Sequence, residues 1–305
     1  NKLDGLEGIR ETKWQESLEP YCEKQYDGMV EAQPGTRDGV QPNTREVAQP
    51  AAAYLGEIAG NEVLQVVLPD TVVEIEELAF YNCRKLSVIE FGSALETIGS
   101  DVFMNCRSLK QLRVRADIRG KTGVKAFLSR IPWEIQVDFA GEETASLLYP
   151  EYTESYDEIA PAHIFGRNIT GEGFRARQCF DGGKADMNQY DTIFPKASAE
   201  ESVKVAGKIA LYRLMYPYML GSSSEVLYMD YLKNNKNEII GSCIYDKNID
   251  EIKFMLEKFS GDRNMIERAI VVANETGFGE AAALILKYRR KKEDIRAAAS
   301  PKPRY

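Results

Sequence analysis

The sequence is poor in residues that build metal and nucleophile sites. It contains one histidine, His163, which excludes every site that needs two imidazoles. The five cysteines form no C-x-x-C pair, so they indicate neither a zinc knuckle nor a disulfide framework. They are Cys22, Cys83, Cys106, Cys179 and Cys243. We therefore predict no catalytic residue, no metal site and no cofactor.

Long apolar runs and clustered basic charge are also missing. No stretch approaches the roughly 18 apolar residues that span a bilayer, so no transmembrane segment is predicted. The polar stretch that begins at Asn1 does not resemble a signal sequence, which leaves the compartment open between cytoplasm and cell surface. The formal charge of -8 argues against a nucleic-acid partner, because phosphate binding needs a clustered basic surface. The basic residues at 287–292 indicate a solvated helix end.

An internal repeat of 23 residues is the strongest feature that is present. Ile75, Phe80, Asn82, Cys83 and Leu86 recur at the same spacing in the next unit, as Ile98, Phe103, Asn105, Cys106 and Leu109. A weaker unit precedes this pair. A weaker unit also follows it, where Ile135 and Val137 are expected to occupy the positions of Leu112 and Val114. One such unit cannot bury its apolar side alone, so the repeat predicts coils that stack into a solenoid.

These repeated residues resemble a known family. The segments LPDTVVEIEELAFYNCRKLSVIEF and ALETIGSDVFMNCRSLKQLRV are similar to the BspA-type leucine-rich repeat, in which Ile, Ala-Phe, Cys and Leu recur in this order. The resemblance covers about a quarter of the chain. It implies a solenoid with parallel strands along one face and a role in adhesion or protein recognition. The stacked Cys83 and Cys106 are interpreted as buried structural thiols.

The predicted strands suggest a binding surface. Inward residues such as Ile89 and Phe91 alternate with outward ones, because successive side chains in a strand point to opposite faces. The outward positions form a mixed polar surface suited to contact with an unidentified protein partner. These positions are Gln65, Val67, Val88, Glu90, Gln111, Arg113, Glu134 and Gln136.

The segment after the repeats allows a rival hypothesis. Residues 139–158 contain six acidic residues and no Lys or Arg, which favours a solvated connector. Short apolar groups separated by glycine follow it and indicate hairpins or loops. A ligand-binding or catalytic module at 140–195, with Cys179 and His163 close in space, is the alternative to protein recognition.

The period becomes helical from Ala199 onward. One amphipathic stripe runs from Val203 to Leu214 and stops before Pro217. A second repeat, with a spacing of 29 residues, then places Ile240 over Ala269 and Cys243 over Val272. Each unit is interpreted as two helices joined by a turn, at Asn248 and Gly277. This part resembles a degenerate ankyrin-type repeat that lacks the T-P-L-H signature, and the whole chain resembles leucine-rich-repeat proteins of gut-dwelling Firmicutes.

Together these features predict an α+β protein, in which a short leucine-rich-repeat solenoid with parallel strands precedes a C-terminal domain of stacked helical hairpins. Its leading function is non-enzymatic protein recognition or scaffolding, and a structural spacer or surface adhesion element is a further alternative. The oligomeric state stays open. The predicted parts are an N-terminal segment and linker at 1–50, the solenoid at 51–140, an acidic linker with a small β or loop segment at 141–198, and the helical-repeat domain at 199–305.

Overall fold

The structure is a computed structural model that describes residues 62–159 and 164–299. The predicted N-terminal segment at 1–50, with Cys22, lies outside the described residues, as does His163. The strands are β1 (Gln65–Val67), β2 (Glu74–Ile75), β3 (Val88–Gly92), β4 (Thr97–Ile98), β5 (Gln111–Arg115), β6 (Ile135–Ala140), β7 (Thr144–Tyr149), β8 (Thr153–Ile159), β9 (Ile164–Thr170), β10 (Phe180–Asp181) and β11 (Lys184–Ala185).

The predicted parallel solenoid is confirmed. Five strands form one sheet in the order β1-β3-β5-β6-β7, and the first four run parallel. Ile89 lies opposite Leu112 and Phe91 opposite Val114, as the spacing of 23 residues predicts. On the neighbouring side of each coil, β2 pairs with β4 in the same register.

The turn between these two sides repeats its backbone conformation as well as its sequence. Asn82 and Asn105 both adopt a positive φ, at 62° and 66°, a conformation that asparagine tolerates better than most residues. The Asn105 side-chain amide donates to Asn82 Oδ1 at 2.7 Å. Beside them the rings of Phe80 and Phe103 stack with centroids 5.8 Å apart. The same residues therefore make both the turn and the contact between coils.

The fourth coil departs from the predicted register. Val137 lies opposite Leu112 and Phe139 opposite Val114, a spacing of 25 residues. The expectation that Ile135 and Val137 occupy those positions is therefore wrong. The connection from β5 to β6 contains a short helix, α1 (Val124–Leu128), and is two residues longer than its predecessors.

The sheet continues into the segment predicted to be an acidic linker. Strand β7 runs antiparallel to β6, and residues 145–149 within it are all buried. The expectation of a solvated connector is therefore wrong for this strand, because its apolar residues bury against both faces despite the acidic residues around it. Strands β8 and β9 pair as the predicted hairpin that follows.

The chain then becomes helical. The remaining helices are α2 (Gly173–Ala176), α3 (Met187–Thr192), α4 (Phe194–Glu200), α5 (Val203–Met215), α6 (Ser222–Tyr245), α7 (Ile249–Phe259), α8 (Arg263–Glu275) and α9 (Gly279–Ala299). Helix α5 covers the predicted stripe and ends before Pro217. The pairs that the 29-residue spacing predicts, Ile240 with Ala269 and Cys243 with Val272, are all buried. No helix in the described part of the chain is long and apolar enough to cross a membrane.

A buried ion pair joins three of these helices. Arg213 on α5 binds Asp191 on α3 through two bonds of 2.7 and 3.0 Å, and both side chains are buried. Tyr228 on α6 donates to the same carboxylate at 2.8 Å. The guanidinium also donates to the carbonyls of Tyr216 and Tyr218. The charges are therefore paired and most of their hydrogen-bonding groups are satisfied, which burial requires.

A second buried arginine ties the end of the solenoid to the following segment. Arg177 donates to four backbone carbonyls, those of Ile131, Trp133, Pro150 and Gly173. Burial lowers the pKa of Arg177 to about 10. One side chain thus satisfies carbonyls on three different stretches of chain.

Replacing the central core ring should destabilise the solenoid. The Phe127 side chain is fully buried and contacts the rings of Phe91 and Phe103. We expect Phe127→Ala to lower the free energy of unfolding by about 3–5 kcal/mol in urea denaturation. Met104→Ala, at an exposed position of the same coil, should change it by less than about 0.5 kcal/mol. Equal effects of the two variants would contradict this packing.

Removing the carbonyl-binding arginine should also be costly. Arg177→Met leaves four buried carbonyl acceptors without their donor, so we expect a loss of at least about 3 kcal/mol in the free energy of unfolding. Arg175→Met removes a guanidinium that is 61% exposed, and should cost less than about 1 kcal/mol. A loss at Arg177 no larger than that at Arg175 would show that these carbonyls find other partners.

Candidate functional site

The outward side chains of the sheet form two rows. In-register pairing aligns Gln65, Val88, Gln111 and Gln136 in the first row, and Val67, Glu90, Arg113 and Asp138 in the second. Each of these side chains is half-buried or exposed. We call these eight residues the outer face. Such rows arise because parallel strands at a constant spacing place equivalent positions side by side.

Seven of the eight residues predicted from the sequence lie on the outer face. The exception is Glu134, which precedes β6 and has no partner position on β5. Asp138 lies opposite Arg113 in its place, which corrects the prediction. The error has a clear source, since Ile135, Val137 and Phe139 all point inward, and either adjacent pair of them could be aligned with Leu112 and Val114.

Asp138 is the centre of a hydrogen-bond network that sequence reasoning missed. The Gln136 side-chain amide donates to Asp138 Oδ1 at 2.8 Å, and the Gln111 amide donates to Oδ2. Ser146 on β7 donates its hydroxyl proton to Oδ1. Arg113 in turn donates to Gln111 Oε1 at 3.3 Å. The C-terminal half of the outer face is therefore held in one arrangement.

Arg115 performs the same role nearer the N-terminal end. Its guanidinium donates to Glu90 Oε1 at 2.9 Å and to Asp70 Oδ1 at 2.7 Å, and also to the carbonyl of Leu68. These contacts join three successive coils. Glu90 is consequently paired and only 14% of its side chain is exposed.

Helix α5 forms a wall at one side of the outer face. It packs against β7, where Ser146 and Leu148 are buried although they lie on the same side of the sheet as Asp138 and Gln136. The Tyr212 hydroxyl donates to Gln136 Oε1 at 2.9 Å. At the end of this helix, burial raises the pKa of Tyr216, and the negative charge of Asp138 adds to the increase. The outer face is thus open at β1 and bounded by α5 beyond β6.

Behind this wall lies a buried carboxyl group. Glu251 on α7 is 1% exposed, and its Oε1 accepts from the Asn248 side-chain amide at 2.7 Å. Glu251 Oε2 is buried and has no hydrogen-bond partner among the described residues. Burial raises the pKa of Glu251, and the positive charge of Lys208 opposes this increase. The two bonds of 2.7 Å that Lys204 and Lys208 donate both go to Asp246 instead.

The rival site at 140–195 finds little support in the position of its cysteine. Cys179 is 2% exposed, and burial raises its pKa to about 12, so the thiol stays protonated near neutral pH. A groove of about 350 Å³ does lie in this region. Cys179 is not among its lining residues, which are Arg107, Pro132, Glu151, Tyr152, Thr153 and Glu154. The groove is an open, polar surface depression beside the hairpin of β8 and β9.

The buried carboxyl group should make stability depend on pH. Because the folded protein raises the pKa of Glu251 above its unfolded value of about 4.3, the folded state binds more protons above that pH. The contribution of Glu251 to the free energy of unfolding therefore falls as the pH rises through the folded pKa. We expect Glu251→Gln to remove this decline when urea denaturation is measured between pH 4.5 and 7.5. Glu267→Gln, at an exposed position, should keep the wild-type profile, and a matching profile for Glu251→Gln would refute the assignment.

Comparison with known proteins agrees with this architecture. Residues 59–130 match the family model described as BspA type leucine rich repeat region (6 copies). No curated protein and no solved structure matches the chain. Leucine-rich-repeat regions serve in general in protein or surface interaction and are generally non-catalytic. Stacked coils in register, with the family's Cys and Phe positions buried between them, agree with the match, and residues 59–130 are a BspA-type leucine-rich-repeat region.

Proposed function

We propose that this protein recognises another protein through the outer face and the adjoining wall of α5. The observation that carries the proposal is the alignment of eight outward side chains in two in-register rows on a rigid sheet. Rigid repeat surfaces of this kind present extended arrays of side chains to partners. The proposed activity is binding, without chemical change to the partner.

The hydrogen bonds within the outer face favour binding by lowering its entropic cost. Ordering a long polar side chain at an interface costs about 0.5–1.5 kcal/mol. Gln111, Gln136, Asp138 and Glu90 are already fixed by hydrogen bonds and ion pairs. A partner therefore meets side chains that have lost this freedom during folding, and Arg113 offers a cation between them.

The size of the outer face implies that the wall takes part. Four strands spaced about 4.8 Å apart make a surface only about 15 Å wide. A specific interface buries about 800 Å² on each partner, which is more than two rows of side chains provide. We infer that a partner also contacts α5, where Lys204 is exposed and Tyr216 is half-buried.

The outer face can be tested by reversing one charge at its centre. We expect Arg113→Glu to abolish the capture of proteins that the full chain retains from cell lysates and from extracellular extracts, as identified by mass spectrometry. The reason is that the new carboxylate repels groups that Arg113 attracts and lies beside Asp138. Thermal unfolding should be little changed, because the Arg113 side chain is half-exposed and makes one weak hydrogen bond.

A matched control separates the outer face from net charge. Lys125→Glu makes the same charge change at an exposed position on α1, away from the outer face. It should leave capture intact. The proposal fails if Arg113→Glu retains the same proteins as the wild type, or if Lys125→Glu loses them equally.

A further inference from the structure

The two ends of the solenoid are finished differently. At the C-terminal end, antiparallel β7 covers the edge of β6 and packs against α5. At the N-terminal end, no described residue pairs with the outer edge of β1 or of β2. Solenoids need a cap at each end, because an open end exposes core residues and unpaired backbone groups.

The backbone of β1 leaves hydrogen-bonding groups at this open edge. The Leu64 carbonyl accepts from Ser87 N and the Leu68 N–H donates to the Glu90 carbonyl, so alternate residues of the strand face β3. The intervening residues, Gln65 and Val67, therefore direct their N–H and C=O groups to the open side. Such an edge is a template for one more strand.

Apolar side chains accompany these backbone groups. Leu64 is 58% exposed, Val67 40% and Val73 56%, and all three lie in the first coil. An added strand would cover them together with the unpaired backbone. The open end thus offers both the main-chain bonds and the apolar area that strand addition uses.

The charge around the open end selects among possible occupants. Residues 62–83 contain five acidic residues and no Lys or Arg. Glu62 pairs with Lys85 and Asp70 with Arg115, whereas Glu74, Glu76 and Glu77 are exposed and form no ion pair with the described residues. A second copy joined edge to edge would bring these carboxylates together, which disfavours self-pairing. The match to the repeat family begins at residue 59, so it includes no earlier coil of this chain that would cover β1.

We propose that the edge of β1 binds an extended segment of another protein in which basic residues alternate with apolar ones. The segment adds a strand to the sheet through the Gln65 and Val67 backbone. Its apolar residues cover Leu64 and Val73, and its basic residues lie near Glu74, Glu76 and Glu77. This site is separate from the outer face, because it uses backbone groups at the end of the sheet.

A synthetic peptide of alternating lysine and valine tests the site on the full chain by fluorescence anisotropy. We expect Val67→Pro to weaken binding at least tenfold, because proline removes the N–H that faces the open edge. It leaves the bonds between β1 and β3 intact, so the far-ultraviolet circular dichroism should not change. Val67→Thr retains the N–H and should bind like the wild type.

Charge reversal gives an independent readout. Replacing Glu74, Glu76 and Glu77 together by lysine should also weaken binding at least tenfold. The same net change at Glu225, Glu238 and Glu267 on the helices should weaken it far less, and a peptide of alternating glutamate and valine should not bind. Equal losses in the two triple variants would overturn the proposal by assigning binding to net charge alone.

Hydrogen exchange resolved to single amides identifies the occupant. The proposal requires the Gln65 and Val67 amides to exchange rapidly in the free protein and to become protected when the peptide binds. Protection that is already present in the dilute protein would overturn it in favour of a segment of the same chain. Protection that appears only at high protein concentration would overturn it in favour of a second copy, and peptide binding unaffected by Val67→Pro would place the peptide elsewhere.

Discussion

Everything in the solenoid depends on one constraint, which is that each coil must place its inward side chains directly over those of the coil before it. Leu86, Leu109 and the residues between them are fully or almost fully buried only because the next coil covers them. A shift of one residue would turn every inward side chain outward. The alignment of the outer face follows from this requirement of the core, since outward positions have no freedom once the inward ones are fixed. The binding surface is therefore a by-product of packing.

The sequence was sufficient where a side chain met an identical or similar residue one coil away. Phe80 over Phe103, Asn82 over Asn105 and Ile89 over Leu112 could all be predicted, because the same contact is repeated and leaves a periodic signal. Six of the outward positions on β1, β3 and β5 followed from these pairs. Gln136 was also placed correctly on the outer face, although its neighbour was misassigned.

The sequence was insufficient where a contact occurs once. The spacing of 25 residues before β6 arises from α1, and three inward residues on β6 fit either register equally well. Arg177 binds carbonyls that are remote in the sequence, and backbone acceptors leave no pattern in side-chain identity. Tyr212 meets Gln136 across 76 residues, so the wall beside the outer face had no periodic signal either. The acidic composition around β7 concealed a buried strand for the same reason.

The wall of α5 fixes one end of the outer face while the coils can vary in number. Each coil adds one strand, and neighbouring strands lie about 4.8 Å apart. Duplicating one 23-residue unit between β3 and β5 would move the open edge of β1 one strand farther from α5 and would add one residue to each row. Repeat number therefore acts as a molecular ruler. Relatives that gained or lost a coil would keep the same corner at Asp138 and Tyr212 and would differ in how far a partner must reach to contact both ends.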